Sequence, residues 1–520
     1  MTRVHLAALI ALLLASSGVS AESRRIVVIS DLHMGLGRAG PDWHPNEDFR
    51  WPRALEGFLS AIDQEPGAID LVIAGDFLEL WEASMTRCSR PPGVDVTPPT
   101  GPDYRCTVQE MAATARAVVA GHPAEFEALA RFAARDKNCL HVVPGNHDAA
   151  LVIVEVWSSV EGALGTGCVE LVSNGLWTSP DRAVQIEHGH QIALDPNSYG
   201  SWPSITKRFG ETEFLEQPWG EYFVARLFYK EEAEYPLIDN LSPHSAGLRY
   251  RMADRGVWGS IDDVARFLAF NLFETSLRQK LDVLRPTDER PPAWRAEDVA
   301  RARTKGDRLF IDALDPKDVF ATNLRTSQEP EWVQLRASLA KLAADRQQLS
   351  DDRVRGLCDQ AELRRVASGC RDPALGMIAG AAIGWISDRH VVGAHVRERW
   401  LANRNLRTWI YGHTHAFEKE WQSAPREGFA VSVMNDGAFQ RLIDDATLRT
   451  RAGDGDPVDL LRAGSFDGAP ACYTVAEVLP EGTPSRPGAK LRAWWMREED
   501  AQGRWLDPCD AACARVGHGC

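Results

Sequence analysis

"RRIVVISDLHMGLG", residues 24–37, runs from a β-branched apolar stretch straight into Asp31 and His33 and then into glycines. Four further stretches repeat that layout. "AIDLVIAGDFLEL" (68–80) ends its apolar run at Gly75 and Asp76, and "KNCLHVVPGNHDAAL" (137–151) at Gly145, Asn146, His147 and Asp148. "RAVQIEHGHQIALDP" (182–196) leads into His188, Gly189 and His190, and "RTWIYGHTHAF" (407–417) into Gly412, His413 and His415. Between the first three lie "RWPRALEGFLSAI" (50–62) and "HPAEFEALARFAARD" (122–136), whose apolar residues recur at the three- and four-residue spacing of one helix face. Short buried strands alternating with helices predict an α/β fold with parallel pairing.

In such sheets the carboxyl ends of neighbouring strands point to one edge, and functional residues collect in the loops there. Glycine lets each loop turn sharply enough to aim the next side chain. Six of the fourteen histidines fall in these five loops.

The rest of the chain sets the frame. A length of 520 residues with 44% hydrophobic and 25% charged residues describes an ordinary globular protein with a sizeable core. The net charge of −15 argues against a nucleic-acid partner, since phosphate backbones are held by clustered Lys and Arg. "MTRVHLAALIALLLASSGVSA" (1–21) has a basic start, an apolar centre and a small-residue end, the layout of a signal peptide. An exported chain, periplasmic or secreted, is expected, with an uncleaved anchor as the rival. All ten cysteines follow the cut, which suggests disulfides. Cys88 and Cys106 bracket a Pro/Gly-rich loop that a bridge would pin down. In the tail "DPCDAACARVGHGC" (507–520), a bridge to Cys472 is preferred to a zinc knuckle, because free thiolates rarely persist after export.

The expected organisation is a signal peptide (1–21), a first core part (22–196), a mainly helical insertion (197–400), a second core part (401–500) and a Cys-rich tail (501–520). Within the insertion, "SIDDVARFLAFNLFETSLRQKLDVL" (260–284), "EWVQLRASLAKLAADRQQL" (331–349) and "GMIAGAAIGWISDRHVVGAHVRERWLAN" (376–403) read as helices. The apolar start of the last is far shorter than the run of about 20 residues a membrane span needs, so no transmembrane segment is expected in the mature chain.

Divalent metals take carboxylate oxygen and imidazole nitrogen, and two ions about 3.5–4 Å apart can clamp the oxygens of an in-line phosphoryl displacement. Two adjacent cations repel unless a shared anion screens them. Asp31, His33, Asp76, Asn146, His188 or His190, His413 and His415 supply seven ligands, one able to bridge. Each has a blander reading. Asp31 and Asp76 are good helix caps, and Asn146 suits a tight turn beside Gly145. His188 and His190 face the same side of an extended strand, so either can reach a metal.

Taken in order, "D-L-H", "G-D-x-x-E", "G-N-H-D", "H-G-H" and "G-H-T-H" resemble the motifs of the calcineurin-like metallophosphoesterases over residues 25–200 and 403–440. The resemblance implies a metallophosphoesterase-type β-sandwich flanked by helices, and two divalent ions, with Mn, Fe or Zn favoured. It implies that Asp31, His33 and His415 hold the first ion, Asp76 bridges, and Asn146, His188 and His413 hold the second. His147 would face the substrate phosphate with Asp148 orienting its ring, Glu79 would be structural, and His190 would fix ligand orientation. The implied activity is hydrolysis of a phosphomonoester or phosphodiester, small or lipid-linked, by a metal-bridging hydroxide. "GDFLELW" also resembles the UDP-sugar-lipid pyrophosphatase branch, although His147 stands where that branch typically has Arg. A metal-stabilised binding or scaffold protein is the alternative from a different class.

Overall fold

A computed structural model describes residues 24–92, 103–192, 197–218, 220–221, 224–225, 229–238, 240–242, 328, 389–423, 430–453, 455–463, 469–479, 488–513 and 517–518. The expected signal peptide, and the expected helices at 260–284 and 331–349, lie outside the described residues.

The first half of the chain supplies strands β1 (Arg25–Ile29), β2 (Ile69–Ala74), β3 (Asp103–Thr107) and β4 (Cys139–Val143). Then come β5 (Val169–Leu171), β6 (Trp177–Thr178), β7 (Val184–Glu187), β8 (Thr206–Phe209) and β9 (Thr212–Gln217). The second half adds β10 (Thr408–Tyr411), β11 (Phe417–Ser423), β12 (Val431–Asn435) and β13 (Cys472–Leu479). The last three are β14 (Gly488–Trp495), β15 (Arg504–Leu506) and β16 (Gly517–His518).

A seven-stranded sheet has the order β15-β14-β13-β1-β2-β4-β5, with β1, β2, β4 and β5 parallel. A six-stranded sheet has the order β16-β11-β12-β10-β7-β6, with β7, β10 and β12 parallel. The chain is therefore mixed α/β with the parallel pairing that its apolar runs predict.

Alternation along the strands decides what each face meets. Ile26, Val28, Val72, Ala74 and Val143 of the first sheet share one apolar cluster with Val184, Ile186, Ile410 and Met434 of the second. The two sheets thus meet across a common dry layer. The opposite residues of the first sheet, such as Val27, Ile29, Leu71 and Ile73, pack against helices.

Helix α1 (Pro52–Gln64) begins with a proline whose missing N–H costs nothing there, and buries Ala54, Leu55, Phe58, Leu59 and Ile62. The short α2 (Leu80–Ala83) follows β2. α3 (Val108–Gly121) starts with a reciprocal capping box between Thr107 and Glu110, and leads into α4 (Pro123–Ala133). α5 (Val154–Leu164) completes this layer.

Behind the second sheet, Val392, Val396 and Trp400 of the helix Arg389–Ala402 pack on Trp409, Tyr411, Val431 and Val433. Buried Glu187, at the end of β7, ties that helix to the sheet. It accepts from His395 Nε2 (2.7 Å), Arg399 Nε (2.9 Å) and Trp409 Nε1 (2.8 Å).

Two features bear on the expected organisation. Most of the segment 197–400, expected to be mainly helical, lies outside the described residues, and its first described part is the β8–β9 hairpin. β9 pairs with β3 in a separate three-stranded sheet, and among the described residues the segment also holds the helix Tyr229–Glu234 and the start of the helix Arg389–Ala402. β8 is short and partly exposed, and β9 buries Glu216 and Gln217 beside Phe214 and Leu215, so neither carries a long apolar run to announce it. The tail expected as a separate unit instead extends both sheets, β15 pairing with β14 and β16 with β11.

Disulfides join Cys88 to Cys106, Cys139 to Cys168 and Cys472 to Cys513. Cys509 is oxidised as well. The first and third are the pairings that the loop and tail readings favoured, and the zinc-knuckle rival loses its thiolates. Cys358 and Cys370 lie outside the described residues. No helix among the described residues is long and apolar enough to cross a membrane.

Candidate metal centre

The five loops come from both sheets and are laced together through their backbones. Asp31 N–H donates to Gly75 O (3.0 Å), His33 N–H to Asp76 O (2.9 Å) and Gly412 N–H to His188 O (2.9 Å). The approach is so close that a Cβ at Gly75 would collide with the His188 ring, and one at Gly145 with the Asp76 carboxylate. Aiming the side chains strains the chain. Of eight non-glycine residues with positive φ among the described residues, five are Asp31 (53°), His33 (51°), Asp76 (48°), His413 (71°) and His415 (55°). Each such residue costs on the order of 1–3 kcal/mol, and clustering of that cost marks functional sites.

Two groups of ligand atoms result: Asp31, His33 and His415 in one, and Asp76, His188 and His413 in the other. In the first, His33 Nε2 is 3.1 Å from His415 Nε2, and Asp31 Oδ1 is 3.4 Å from His415 Nε2. In the second, His188 Nε2 lies 3.1 Å from Asp76 Oδ2, 3.0 Å from Asn146 Oδ1 and 3.0 Å from His413 Nδ1. Asp76 Oδ2 is also 3.6 Å from His33 Nε2, so one carboxylate oxygen reaches both groups.

Four of the candidate ligands are held by their far atoms. His33 Nδ1 is 2.9 Å from Glu79 Oε2 and His188 Nδ1 is 2.9 Å from Ala74 O, which fixes the tautomer and turns Nε2 inward. Asp31 Oδ2 accepts the Ser30 hydroxyl (2.5 Å) and the His413 N–H (3.0 Å). Its Oδ1 is buried and accepts no hydrogen bond. Asp76 Oδ1 accepts the His147 N–H at 2.9 Å.

These residues fit divalent metal. Four donors each about 2.1 Å from a common ion lie about 3.4 Å apart in a tetrahedron, which is the spacing seen here. The Nε2 atoms of His33 and His415 meet at 3.1 Å beside a buried carboxylate oxygen of Asp31 that accepts no hydrogen bond, the placement expected of ligand atoms around one ion.

Titration behaviour points the same way. Burial opposes a charge on His188, yet Asp76 and Asp31 raise it to about 9. Burial likewise opposes a charge on His33, and Glu79 and Asp76 lift it well above its ordinary value. Burial pushes Asp76 up, but His188, His147 and His33 hold it well below the carboxylate range. Asp31 is raised, by burial first and then by Asp76. Protons are thus gathered where cations would sit.

His147 is brought to the same place. Its Nδ1 is 2.5 Å from Glu79 Oε2, and its ring stacks on Trp81 at 4.1 Å. Burial would raise Glu79, but the His147 and His33 rings bring it down to about 2.

The expectation that Asp148 orients the His147 ring is overturned. Asp148 accepts backbone N–H groups of Gly145 (2.6 Å), Phe77 (2.8 Å) and Leu78 (3.2 Å), clamping two loops together. The turn at Gly145 points its carboxylate back under the loop, and Glu79 takes the ring instead. Burial, and then Asp76, raise Asp148 to about 7.

Of the two histidines around Gly189, His188 is the one among the ligand atoms. His190 is buried and neither ring nitrogen makes a hydrogen bond, so it does not orient a ligand through one. It packs on His188 (5.5 Å) and Trp202 (5.0 Å). Burial, and then His188 and His413, hold it well below its ordinary value.

Sequence reasoning missed Trp81, Tyr199 and Asn197. Tyr199 OH donates to Asn146 O (3.0 Å) and accepts from Trp81 Nε1 (3.3 Å), and Asn197 Nδ2 is 3.4 Å from His413 Nε2. Only Trp81, adjoining the "GDFLEL" stretch, had a local signal. Among the histidines left without a role, His122 lies 3.1 Å from Glu125, His141 3.1 Å from Asp70 and His395 2.7 Å from Glu187.

Neither a scan against protein-family models nor a search of curated proteins returns a match to this chain.

Proposed function

We propose that this chain is an exported, dinuclear metal-dependent phosphoester hydrolase of the calcineurin-like metallophosphoesterase type. One observation carries the reading: Asp76 Oδ2 lies between two ligand groups, 3.1 Å from His188 Nε2 and 3.6 Å from His33 Nε2. A structural metal needs one closed shell. Two half-shells sharing a carboxylate suit a pair of ions.

Asp31, His33 and His415 would hold one ion, Asn146, His188 and His413 the other, with Asp76 shared. When bound, such a pair polarises phosphoryl oxygens and generates a nucleophile from water near neutral pH. The chain's own residues do the rest. Glu79 holds His147 Nδ1, so His147 Nε2 is the atom free to face a phosphoryl group. A proton on Nε2 would be donated to the departing oxygen, and the Glu79 carboxylate would stabilise the charged ring. Trp81 keeps that ring from turning.

The sandwich arrangement of the two sheets supports the same family reading. Substrates in this reading are small or lipid-linked phosphomonoesters or phosphodiesters, and Mn, Fe or Zn are the metals expected from a His-rich, carboxylate-containing set.

Paired model phosphomonoesters and phosphodiesters, offered to the chelated protein with Mn, Fe, Zn or Mg restored, test the proposal beside Asp76→Asn. Metal-dependent turnover that disappears in Asp76→Asn is expected. Two bound ions without turnover on any ester would favour the scaffold alternative.

A further inference from the structure

Two routes to His147 pass through one buried hydroxyl, that of Tyr199. It donates to Asn146 O at 3.0 Å, the carbonyl of the peptide that joins Asn146 to His147. It also accepts from Trp81 Nε1 at 3.3 Å. The Trp81 ring in turn lies on the His147 ring, with centroids 4.1 Å apart and planes 28° from parallel. An indole N–H only donates, and a phenol offers one proton and its lone pairs, so the two bonds match in direction. The hydroxyl therefore reaches both the backbone that carries His147 and the ring on which its imidazole rests.

Tyr199 is itself anchored. Its ring packs on Trp202 (centroids 6.1 Å apart) and on His190 (6.2 Å), and the N–H of the next residue, Gly200, donates to Glu216 Oε1 at 2.8 Å. Glu216 belongs to β9, so the anchor lies in a sheet separate from the two that bear the ligand loops. The Glu79 contact fixes Nδ1 of His147, but one contact at one atom does not set the tilt of a ring. Trp81 sets it from the face, provided that its own ring is pinned. Tyr199 supplies the pin.

We propose that Tyr199 is a positioning residue for His147, holding the ring so that Nε2 meets the departing oxygen. This rests on the phosphoesterase reading and goes beyond it, because it assigns the segment after residue 197 to the proton donor. In that reading the His147 Nε2 proton passes to the departing oxygen as its bond to phosphorus breaks and a bond from phosphorus to the oxygen of water forms. The demand for that proton depends on the leaving group. An oxygen that departs as a stable anion needs little help, and a poor leaving group needs much more.

Hydrolysis of phenyl and para-nitrophenyl phosphate by the Mn-loaded full chain tests this, with diphenyl and bis(para-nitrophenyl) phosphate as the diester pair. The quantity read is kcat/KM for the phenyl ester divided by that for its nitrophenyl partner in the same sample, which cancels any loss of folded or metal-loaded protein. A positioned acid supplies roughly 10²–10⁴-fold. Tyr199→Phe keeps the ring and removes the hydroxyl, so it should lower the ratio by about tenfold, and His147→Ala should lower it further. In the His147→Ala background, Tyr199→Phe should leave the ratio unchanged, since the residue acts through that ring.

A ratio that Tyr199→Phe does not move, whatever the uniform loss of rate, would make the hydroxyl structural and overturn the proposal while leaving the phosphoesterase reading intact. So would a further fall of the ratio when Tyr199→Phe is added to His147→Ala. No metal-dependent turnover of any of the four esters by the wild type would overturn the phosphoesterase reading and the positioning role with it.

Discussion

Glu79 Oε2 stands 2.5 Å from His147 Nδ1, and no other carboxylate of the site touches that ring. The same oxygen lies 2.9 Å from His33 Nδ1. A single buried carboxylate therefore positions a candidate metal ligand and the residue proposed to face the phosphate. Glu79→Gln keeps the shape and removes the charge. Partners that orient metal ligands typically contribute 10–100-fold in metal affinity or activity. We expect a loss of about that size in kcat/KM, with weaker metal binding measured in the same samples. Retention of both would show the contact to be incidental.

His188 and His190 can be separated by metal analysis. His188→Ala should lower bound metal by about one ion per chain, because it removes a nitrogen from the centre of the second group. His190→Phe should keep the metal, because neither ring nitrogen of His190 makes a hydrogen bond and neither belongs to a ligand group. Loss of metal in His190→Phe would reverse the assignment.

Strain at the ligand loops predicts a conflict between stability and metal binding. His415 has φ of 55°, where glycine fits without penalty. Urea unfolding in chelator should show His415→Gly more stable than wild type by about 1 kcal/mol, while metal-loaded samples show the opposite order. A destabilised apo variant would mean that the His415 side chain contributes more through contacts than its backbone costs.

One source of pH-dependent stability lies away from the candidate metal centre. His122 is buried between Glu47 (3.3 Å) and Glu125 (3.1 Å); burial opposes its charge, but the two carboxylates raise it to about 10. Because the folded value is raised, its contribution is complete below about pH 6.5, declines as pH rises, and is gone above about 10. Thermal midpoints should fall across that interval, and His122→Gln should flatten the slope. An unchanged slope in the variant would place the titration elsewhere.

Much of this was legible from residues such as Asp31, Asp76 and His413, because an apolar run that ends abruptly in glycine and a ligand-type side chain marks a strand and its loop together. Parallel pairing followed from runs such as "RIVVI" that are buried along their whole length. What stayed hidden depends on distance along the chain. Tyr199 and Trp81 are 118 residues apart, and no local pattern announces their contact. Asp148 misled for the opposite reason. Adjacency to His147 suggested partnership, whereas the backbone turn sends neighbouring side chains to different sides. The β8–β9 hairpin was missed because its strands are short and mix polar with apolar residues even where buried, so neither helical nor strand periodicity stands out.

His33 and His415 meet at 3.1 Å although 382 residues separate them. The centre therefore does not exist in any fragment that stops before the final ligand loop, nor in either sheet alone. On the proposed reading, metal loading is a late event in the life of the molecule, after synthesis has passed residue 415 and the two sheets have docked. In a refolding experiment with a chromogenic metal indicator, uptake should lag the burial of tryptophan. Bound metal would then be a timestamp on completed assembly, since a chain that folds only halfway lacks one half of the candidate site.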